Sequence, residues 1–260
     1  MQQKLTSLRQ QIEQHLAGTP GTYSIELVLP DLGMGLRHNP IVLPSASLIK
    51  VFIMAEAFHR ASIGCLDLSD SAEVTPTVRV GGAGPLEHAA YGTSIKLLEL
   101  IELMITESDN TATNILIRIL GMDSVNKLAY TIGCHNTLLG RHMMDFTARA
   151  AGRDNFTSPT DMNILLGRLY ANDCINPDSS QAMLAILLRQ TDKCKLPLLL
   201  PPGTVIAHKT GELDGIEHDS GIIYGQTPYI LTIMTENLPN EEQGRQTIAE
   251  LSRIVYEALQ

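Results

Sequence analysis

The feature that most constrains this chain is an apolar stretch that contains one serine and one lysine. Pro44 and Ser45 supply an entry turn and a candidate N-cap, and almost every position from Leu48 to Phe58 is apolar, which predicts a helix buried on all sides. Ser47 and Lys50 stand three residues apart, so their side chains are neighbours on such a helix. Burial of an amine lowers its pKa towards neutrality, and an amine of this kind beside a hydroxyl is a base beside a nucleophile.

Two kinds of hydropathy pattern divide the chain. Strand-like alternation occurs near both ends, whereas the middle has mostly helical periodicity. Strands at both ends with helices between them imply one sheet built from the two termini and a helical insert. The predicted elements are helix 1–16, strands 23–29 and 36–42, helices 45–58, 95–105, 111–120, 123–132, 160–170 and 178–190, strands 205–210, 220–224 and 229–235, and helix 241–259.

Two tripeptides strengthen the case for the serine and the lysine. Ser108-Asp109-Asn110 stands between two predicted helices, and Lys209-Thr210-Gly211 ends the strand that starts at residue 205. Each also has a structural interpretation, the first as a helix N-cap and the second as an exposed edge-strand lysine before a turn glycine. A second serine–lysine pair, Ser124 and Lys127, falls on an ordinary amphipathic helix and is interpreted as structural.

The order SxxK, then SDN, then KTG resembles the signature of class A β-lactamases and penicillin-binding proteins. The resemblance extends over most of the chain, including the strands at both ends and the helical insert. It implies an α/β (α+β) fold with two lobes. One lobe, from 1–43 and 203–260, holds an antiparallel sheet flanked by the terminal helices; the other, from 44–202, is all helical, and the active site lies in the cleft between them.

The resemblance also implies a role for each motif residue. Ser47 is expected to attack a substrate carbonyl and become acylated, while Lys50 takes its proton. Ser108 is expected to pass a proton to the leaving nitrogen, helped by the positive charge of Lys209. Asn110 is expected to hydrogen-bond the side-chain amide of the substrate and to hold Lys50.

Further residues around the third motif are implied to bind substrate. Thr210, next to Gly211, would bind a substrate carboxylate, and the backbone N–H groups of Ser47 and Glu212 would form the oxyanion hole. On the following strand, where the family usually offers an arginine for that carboxylate, this chain has His218. A protonated His218 is one interpretation, and a histidine hydrogen-bonded within its own strand is the other.

One departure from the family concerns the loop at 141–159, which resembles the omega loop of class A β-lactamases. In those enzymes a glutamate on this loop activates the water that deacylates the enzyme. The matching position falls on Met143 or Met144, and the nearest carboxylate is Asp145, displaced by one or two residues. We therefore expect an atypical branch in which the acyl-enzyme persists unless Asp145 or another group activates water.

Composition limits the partners. The net charge of -9 argues against nucleic acid or an anionic membrane surface as the main partner, and no apolar run is long enough to span a membrane. The cysteines stand far apart, which predicts reduced thiols and no metal site, and we expect no cofactor. Segment 1–16 has no signal-peptide pattern, so we expect a cytoplasmic monomer, or an exported protein if a leader has been removed.

These observations predict a metal-free serine hydrolase or acyltransferase that forms an acyl-enzyme on Ser47. The substrate is expected to be a small β-lactam, or another amide or ester that bears a carboxylate. Two alternatives stay open: a peptidase or esterase similar to the penicillin-binding proteins, and a binding or sensor protein that is acylated once without turnover. The fate of the acyl-enzyme separates them, because only the last would keep it indefinitely.

Overall fold

A five-stranded antiparallel sheet forms the frame of the molecule in the computed structural model, which describes residues 1–260. The strands in chain order are β1 (Thr22–Leu29), β2 (Met34–His38), β3 (Leu43–Pro44), β4 (Ser71–Glu73), β5 (Ser94–Lys96), β6 (Phe156–Thr157), β7 (Ile206–Leu213), β8 (Ile216–Ile223) and β9 (Tyr229–Glu236). The large sheet has the order β2-β1-β9-β8-β7, so both chain ends contribute to it, as the sequence predicts. The strands β3 with β6, and β4 with β5, form two small two-stranded sheets.

The tight hairpin between β7 and β8 fixes the register at the edge of the sheet. Leu213 pairs with Ile216 across the two-residue turn Asp214-Gly215, and Gly215 has a φ of 69°. An Asp-Gly pair favours such a turn because glycine adopts positive φ without strain. The register that follows places Glu212 directly opposite Glu217.

The helices divide into a terminal pair and a helical middle. They are α1 (Gln2–Leu16), α2 (Ile49–Ser62), α3 (Leu97–Thr106), α4 (Asn110–Leu120), α5 (Met122–Thr131), α6 (Phe146–Ala150), α7 (Pro159–Tyr170), α8 (Pro177–Leu187) and α9 (Glu241–Leu259). In α1 the buried residues Leu5, Leu8 and Ile12 recur at helical spacing, so one face packs on the sheet while the other stays polar. The terminal helices α1 and α9 pack against each other on that face.

The opposite face of the sheet packs against the helical middle. Ala207, Ile222 and Ile230 point from the strands into the core that surrounds α2. Every residue of α2 from Ile49 to Phe58 is buried, which agrees with its nearly all-apolar sequence. Burying each large side chain of this helix stabilises the fold by about 1.5–3 kcal/mol. The sheet and the helices therefore hold the two ends of α2 in place, including the turn before it.

The structure bears out most predicted elements and moves some boundaries. The helix with the serine begins later than predicted: a 3-10 turn, Ala46–Leu48, precedes α2, and Ser45 makes no side-chain cap. The segment 95–105 starts as β5 before α3, because Ile95 pairs with Ala72. The short pieces β3, β6 and α6 were outside the prediction, since elements of two to five residues carry too little periodicity.

The last hairpin differs most from the prediction. Strand β7 continues through Gly211 to Leu213, so that glycine lies within a strand and not in a turn. Strand β8 begins at Ile216 instead of residue 220, because its polar residues are buried and paired with partners. None of the helices is both long enough and apolar enough to cross a bilayer. All four cysteines are free thiols.

Candidate active site

The turn that carries Ser47 is held tightly between α2 and the edge strand β7. Ala46, the residue before it, has a φ of 46°, a strained value for a residue with a side chain. Strand β7 approaches so closely that a Cβ on Gly211 would lie 3.1 Å from the backbone nitrogen of Ser47. Ser47 itself is half-buried and lines a cleft of about 410 Å³. We call this cavity the Ser47 cleft.

Lys50, the second residue of α2, is completely buried beneath the cleft. Its amine donates to the backbone oxygen of Ser108 (2.7 Å), to Ser108 Oγ (3.1 Å) and to Asn110 Oδ1 (2.9 Å). The Ser47 hydroxyl is not among its hydrogen-bond partners, although the spacing in sequence predicts a meeting. Burial lowers the pKa of Lys50 well below its ordinary value, and the nearby charge of Lys209 lowers it further.

Ser108 connects the two lysines. Its hydroxyl oxygen accepts from Lys50 Nζ at 3.1 Å and from Lys209 Nζ at 3.0 Å, so its own proton is free to be donated into the cleft. The residue has a φ of 56°, and the next residue, Asp109, fixes this backbone. Asp109 caps α4 by accepting from the Ala112 nitrogen at 2.7 Å, so the N-cap interpretation of this tripeptide is also correct.

Lys209 reaches the same point from the sheet. It is fully buried on β7, and its amine also donates to the Thr210 backbone oxygen at 2.9 Å. Burial, together with the charge of Lys195, lowers the pKa of Lys209 to about 7. Neither Lys50 nor Lys209 forms an ion pair, so both are buried amines whose pKa lies below that of an ordinary lysine, and Lys209 can exchange a proton near neutral pH.

The predicted substrate-binding residues lie around this centre. Asn110, Thr210, Gly211 and Glu212 all line the Ser47 cleft. Asn110 is oriented from both ends of its amide, since Oδ1 accepts from Lys50 and Nδ2 donates to the Gly81 oxygen at 3.0 Å.

The loop at 141–159 forms the apolar wall of the cleft. Met143, Met144 and Phe146 line it. Asn114 anchors the turn, because it accepts from the Met143 nitrogen at 2.8 Å and donates to the Met143 oxygen at 3.2 Å. The Met143 side of the cleft therefore presents thioether and methyl groups and no carboxylate.

A buried ion pair closes this loop at its base. Arg141 Nε and Asp154 Oδ1 are 2.7 Å apart, and both side chains are at most a tenth exposed. Arg149 also contacts Asp154, at 3.2 Å. Since each charge has its partner, the loop is held as a unit against the cleft.

Comparison with known proteins agrees with this geometry. The model of the beta-lactamase enzyme family matches residues 7–259. The chain belongs to this family. A beta-lactamase of Streptomyces fradiae is 31% identical over 180 residues, which are 66% of this chain and 58% of that enzyme, so the match spans less than two thirds of that relative.

Several solved structures are similar to this chain along nearly its whole length. That of PBP-A has a TM-score of 0.91 at 31% identity and covers 98% of this chain and 96% of that one. A point variant of PBP-A, also 31% identical, has been solved as its acyl-enzyme complex with penicillin G. A beta-lactamase from Sphaerobacter thermophilus has a TM-score of 0.89 at 28% identity, with 97% of each chain covered.

Two residues expected at the site of this beta-lactamase family member lie elsewhere. Asp145 is the N-cap of α6, where its Oδ1 accepts from the Ala148 nitrogen at 2.8 Å, and it lines a separate groove behind the Met143–Met144 turn. An aspartate that is shorter than glutamate and bonded to its own helix does not reach the cleft. The expectation that Asp145 supplies the deacylating base is therefore wrong.

The expected carboxylate-binding role of His218 is also wrong. The ring is fully buried; Nε2 donates to the Pro44 oxygen at 2.8 Å, and Nδ1 accepts from the Thr235 nitrogen at 3.0 Å. Burial lowers the pKa of His218 to about 4, so it is neutral at physiological pH. The alternative interpretation, a histidine satisfied by backbone partners, is the correct one.

Sequence reasoning missed the charged residues beside the KTG strand. Asp192, Cys194 and Glu212 bring three potential ligand atoms within 4.8 Å of one another. The Lys195 ammonium already lies 2.7 Å from Glu212 Oε1 and 3.5 Å from Asp192 Oδ2, so a metal ion here would meet a positive charge. We therefore assign no metal to this group. In the structure Glu212 lies directly opposite Glu217, and because opposed like charges are destabilising, this pair favours a neighbouring cation such as Lys195.

Proposed function

We propose that this protein is a serine hydrolase that forms an acyl-enzyme on Ser47 with β-lactams, or with related amides and esters that bear a carboxylate. One observation carries the proposal: the buried amines of Lys50 and Lys209 meet on the hydroxyl of Ser108 at the floor of the Ser47 cleft. Burial of two unpaired amines opposes folding, so such an arrangement indicates a chemical role.

Acylation follows from the protonation states. Once Lys50 has lost a proton, and with it one of its three donated hydrogen bonds, its neutral amine takes the proton of Ser47 while the serine oxygen bonds to the substrate carbonyl carbon, whose π electrons move to the oxygen. When the carbonyl re-forms, the carbon–nitrogen bond breaks and the leaving nitrogen takes the hydroxyl proton of Ser108. The Lys50 ammonium then returns a proton to Ser108, along the 3.1 Å hydrogen bond.

Two features orient the substrate. The backbone N–H groups of Ser47 and Glu212 would stabilise the oxyanion, and the close approach of Gly211 to the Ser47 turn supports this assignment. A substrate carboxylate would bind Thr210 and the Lys209 ammonium. Because His218 offers no charge, that carboxylate depends on the KTG strand for its anchor.

Deacylation is proposed to be slow. The cleft wall nearest the loop is made by Met143, Met144 and Phe146, and none of these side chains can take a proton from water. Two other loop residues line the cleft. Asn155 has its Oδ1 occupied by the backbone nitrogens of Gly140 (2.8 Å) and Arg141 (3.0 Å), and the Arg141 side chain is a cation paired with Asp154, so it cannot act as a base. The acyl-enzyme complex of a PBP-A variant with penicillin G shows that a similar protein is acylated by a β-lactam.

Intact-protein mass spectrometry tests the proposal. Mixing the protein with penicillin G should give one covalent adduct, located on Ser47 by peptide mapping, together with a burst of hydrolysis followed by a slow phase. Ser47→Ala should abolish the adduct. Ser124→Ala, which alters the other SxxK serine, is the matched control and should keep it. Absence of adduct and turnover with β-lactams and activated esters would overturn the proposal.

A peptidase or esterase similar to the penicillin-binding proteins is the second candidate. The apolar wall at Met143 and Met144 favours it, because a missing deacylation base suits slow reaction with β-lactams. Faster turnover of peptide or thioester substrates that end in a free carboxylate than of penicillin G would support this candidate. A labelled protein that turns over neither class would indicate the binding or sensor alternative.

A further inference from the structure

Lys195 occupies a closed cage of carboxylates beside the cleft. Its side chain has no exposed surface, and its amine lies 2.7 Å from Glu212 Oε1, 2.9 Å from Glu217 Oε2 and 3.5 Å from Asp192 Oδ2. The Glu217 contact is an ion pair without aligned hydrogen-bond geometry. Although burial opposes the charge, these three acids raise the pKa of Lys195 above its ordinary value, so it is always an ammonium.

The backbone on both sides of Lys195 is fixed as well. The Cys194 nitrogen donates to Asp192 Oδ1 at 2.9 Å, and the Leu196 nitrogen donates to Asp219 Oδ2 at 3.0 Å. These two backbone hydrogen bonds, one on each side of Lys195, restrict its conformation, so its ammonium occupies one position. That place lies between the edge strand of the sheet and the loop that contributes Asp192 to the Ser47 cleft.

The cage acts on the reacting groups by two routes. Glu212 contributes its backbone N–H to the proposed oxyanion hole. The Glu212 side chain is 56% exposed, and its ion pair with Lys195 fixes its position. Lys195 also lies close enough to Lys209 for its charge to lower the pKa of that amine. The charged groups that face Lys209 are Lys50 from α2, Asp192 and Lys195 from the loop before β7, Glu212 from β7 and Asp219 from β8.

We propose that Lys195 is a positioning residue for the acylation of Ser47: its ammonium, held among the carboxylates of Glu212, Glu217 and Asp192, aligns the cleft edge of β7 through Glu212. This inference rests on the proposed function, because it concerns the same acylation. It adds a residue that touches neither substrate nor the reacting atoms.

The test is the pH dependence of acylation by penicillin G, measured as the rate of adduct formation. In the wild-type protein the rate should fall as Lys209 loses its proton, around pH 7. Lys195→Met removes a positive charge near Lys209, so the pH at which the acylation rate falls should rise by about one unit. Asp192→Asn removes a neighbouring negative charge and should lower this pH, which provides a second variant if the first does not fold.

Two controls separate positioning from ordinary stability. Lys193→Met changes an exposed lysine two residues away, whose amine is 3.4 Å from His208 Nε2, and should leave the pH profile unchanged. Lys195→Arg retains the positive charge, so its acylation rate should fall at the same pH as that of the wild-type protein. Folded Lys195→Met and Asp192→Asn with wild-type pH profiles would overturn the inference, whereas failure of the wild-type protein to form any adduct would overturn the proposed function instead.

Discussion

Met143→Glu should convert a stalled acyl-enzyme into one that turns over. Residue 143 lines the Ser47 cleft and is only 7% exposed, and Asn114 holds both its backbone nitrogen and its backbone oxygen. A glutamate here would therefore enter the cleft without moving the loop. Desolvation would raise the pKa of the new carboxyl, which favours a general base that works near neutral pH.

The magnitude follows from the chemistry and the packing. A positioned general base accelerates a reaction by about 10²- to 10⁴-fold, which lowers the barrier by about 3–5 kcal/mol. We expect the low end of this range, because the cleft has no groups arranged to orient the new carboxylate. The Arg141 guanidinium is bound to Asp154 and is not free to neutralise the new charge. Losing a buried methionine costs about 2 kcal/mol of stability, or a decrease in Tm of roughly 4–8 °C.

Stopped-flow hydrolysis of a chromogenic cephalosporin measures the effect. The variant should keep the burst amplitude of the wild-type protein, while the slow phase accelerates about 100-fold. Phe146→Glu is the matched control, because it adds the same charge to the same wall but from α6, and its slow phase should stay at the wild-type rate. If folded Met143→Glu shows a normal burst and an unchanged slow phase, a missing base is not what limits deacylation.

Three further predictions test the charges and the packing around the cleft. Lys209→Met should abolish acylation yet raise the free energy of unfolding at pH 7 by roughly 2–4 kcal/mol. The wild-type lysine has a pKa of about 7 in the folded protein and about 10.5 in the unfolded chain, so below pH 10.5 proton binding favours the unfolded chain, and the gain from the substitution shrinks as the pH rises towards 10.5. Urea titrations at several pH values measure this difference. Asp154→Ala should cost about 3–5 kcal/mol and expose the loop to proteases, since it leaves a buried arginine unpaired, whereas Asp145→Asn should leave the slow phase of hydrolysis unchanged. Gly84→Ala should prevent folding because the new Cβ would lie 2.3 Å from Asp109 Cβ, while Gly92→Ala, with a similar φ of 83° and open space around it, should cost only about 1–2 kcal/mol by thermal denaturation.

The sequence predicts the centre of the site well because its signals are local. Apolar residues surround Lys50 along one helix, so its burial can be read directly, and Lys50 is indeed fully buried. The meeting of Ser108 and Lys209 is non-local, and it was expected only through the resemblance to a family. Periodicity could not have found it, because these residues come from different elements.

The errors share a physical cause, which is buried polar side chains. Glu217, His218 and Asp219 are too polar for hydropathy to include them in the strand predicted at 220–224, yet all are at most 1% exposed in β8. Their partners are distant in the chain: Arg245 binds Glu217, Pro44 binds His218, and His208 binds Asp219. A polar residue becomes a strand residue when such partners satisfy it, and hydropathy alone does not contain the partners.

Backbone strain gives an independent reason to place the chemistry in this cleft. Ala46, Ser108 and Met144 have φ values of 46°, 56° and 62°, and all three line it. Each such residue costs of order 1–3 kcal/mol and persists only where its surroundings determine it. One of them precedes Ser47, one accepts hydrogen bonds from both buried lysines, and one belongs to the apolar wall of the cleft. Because strain and unpaired amines both oppose folding, their coincidence at one cleft is what selection for reactivity produces and what selection for stability alone would remove.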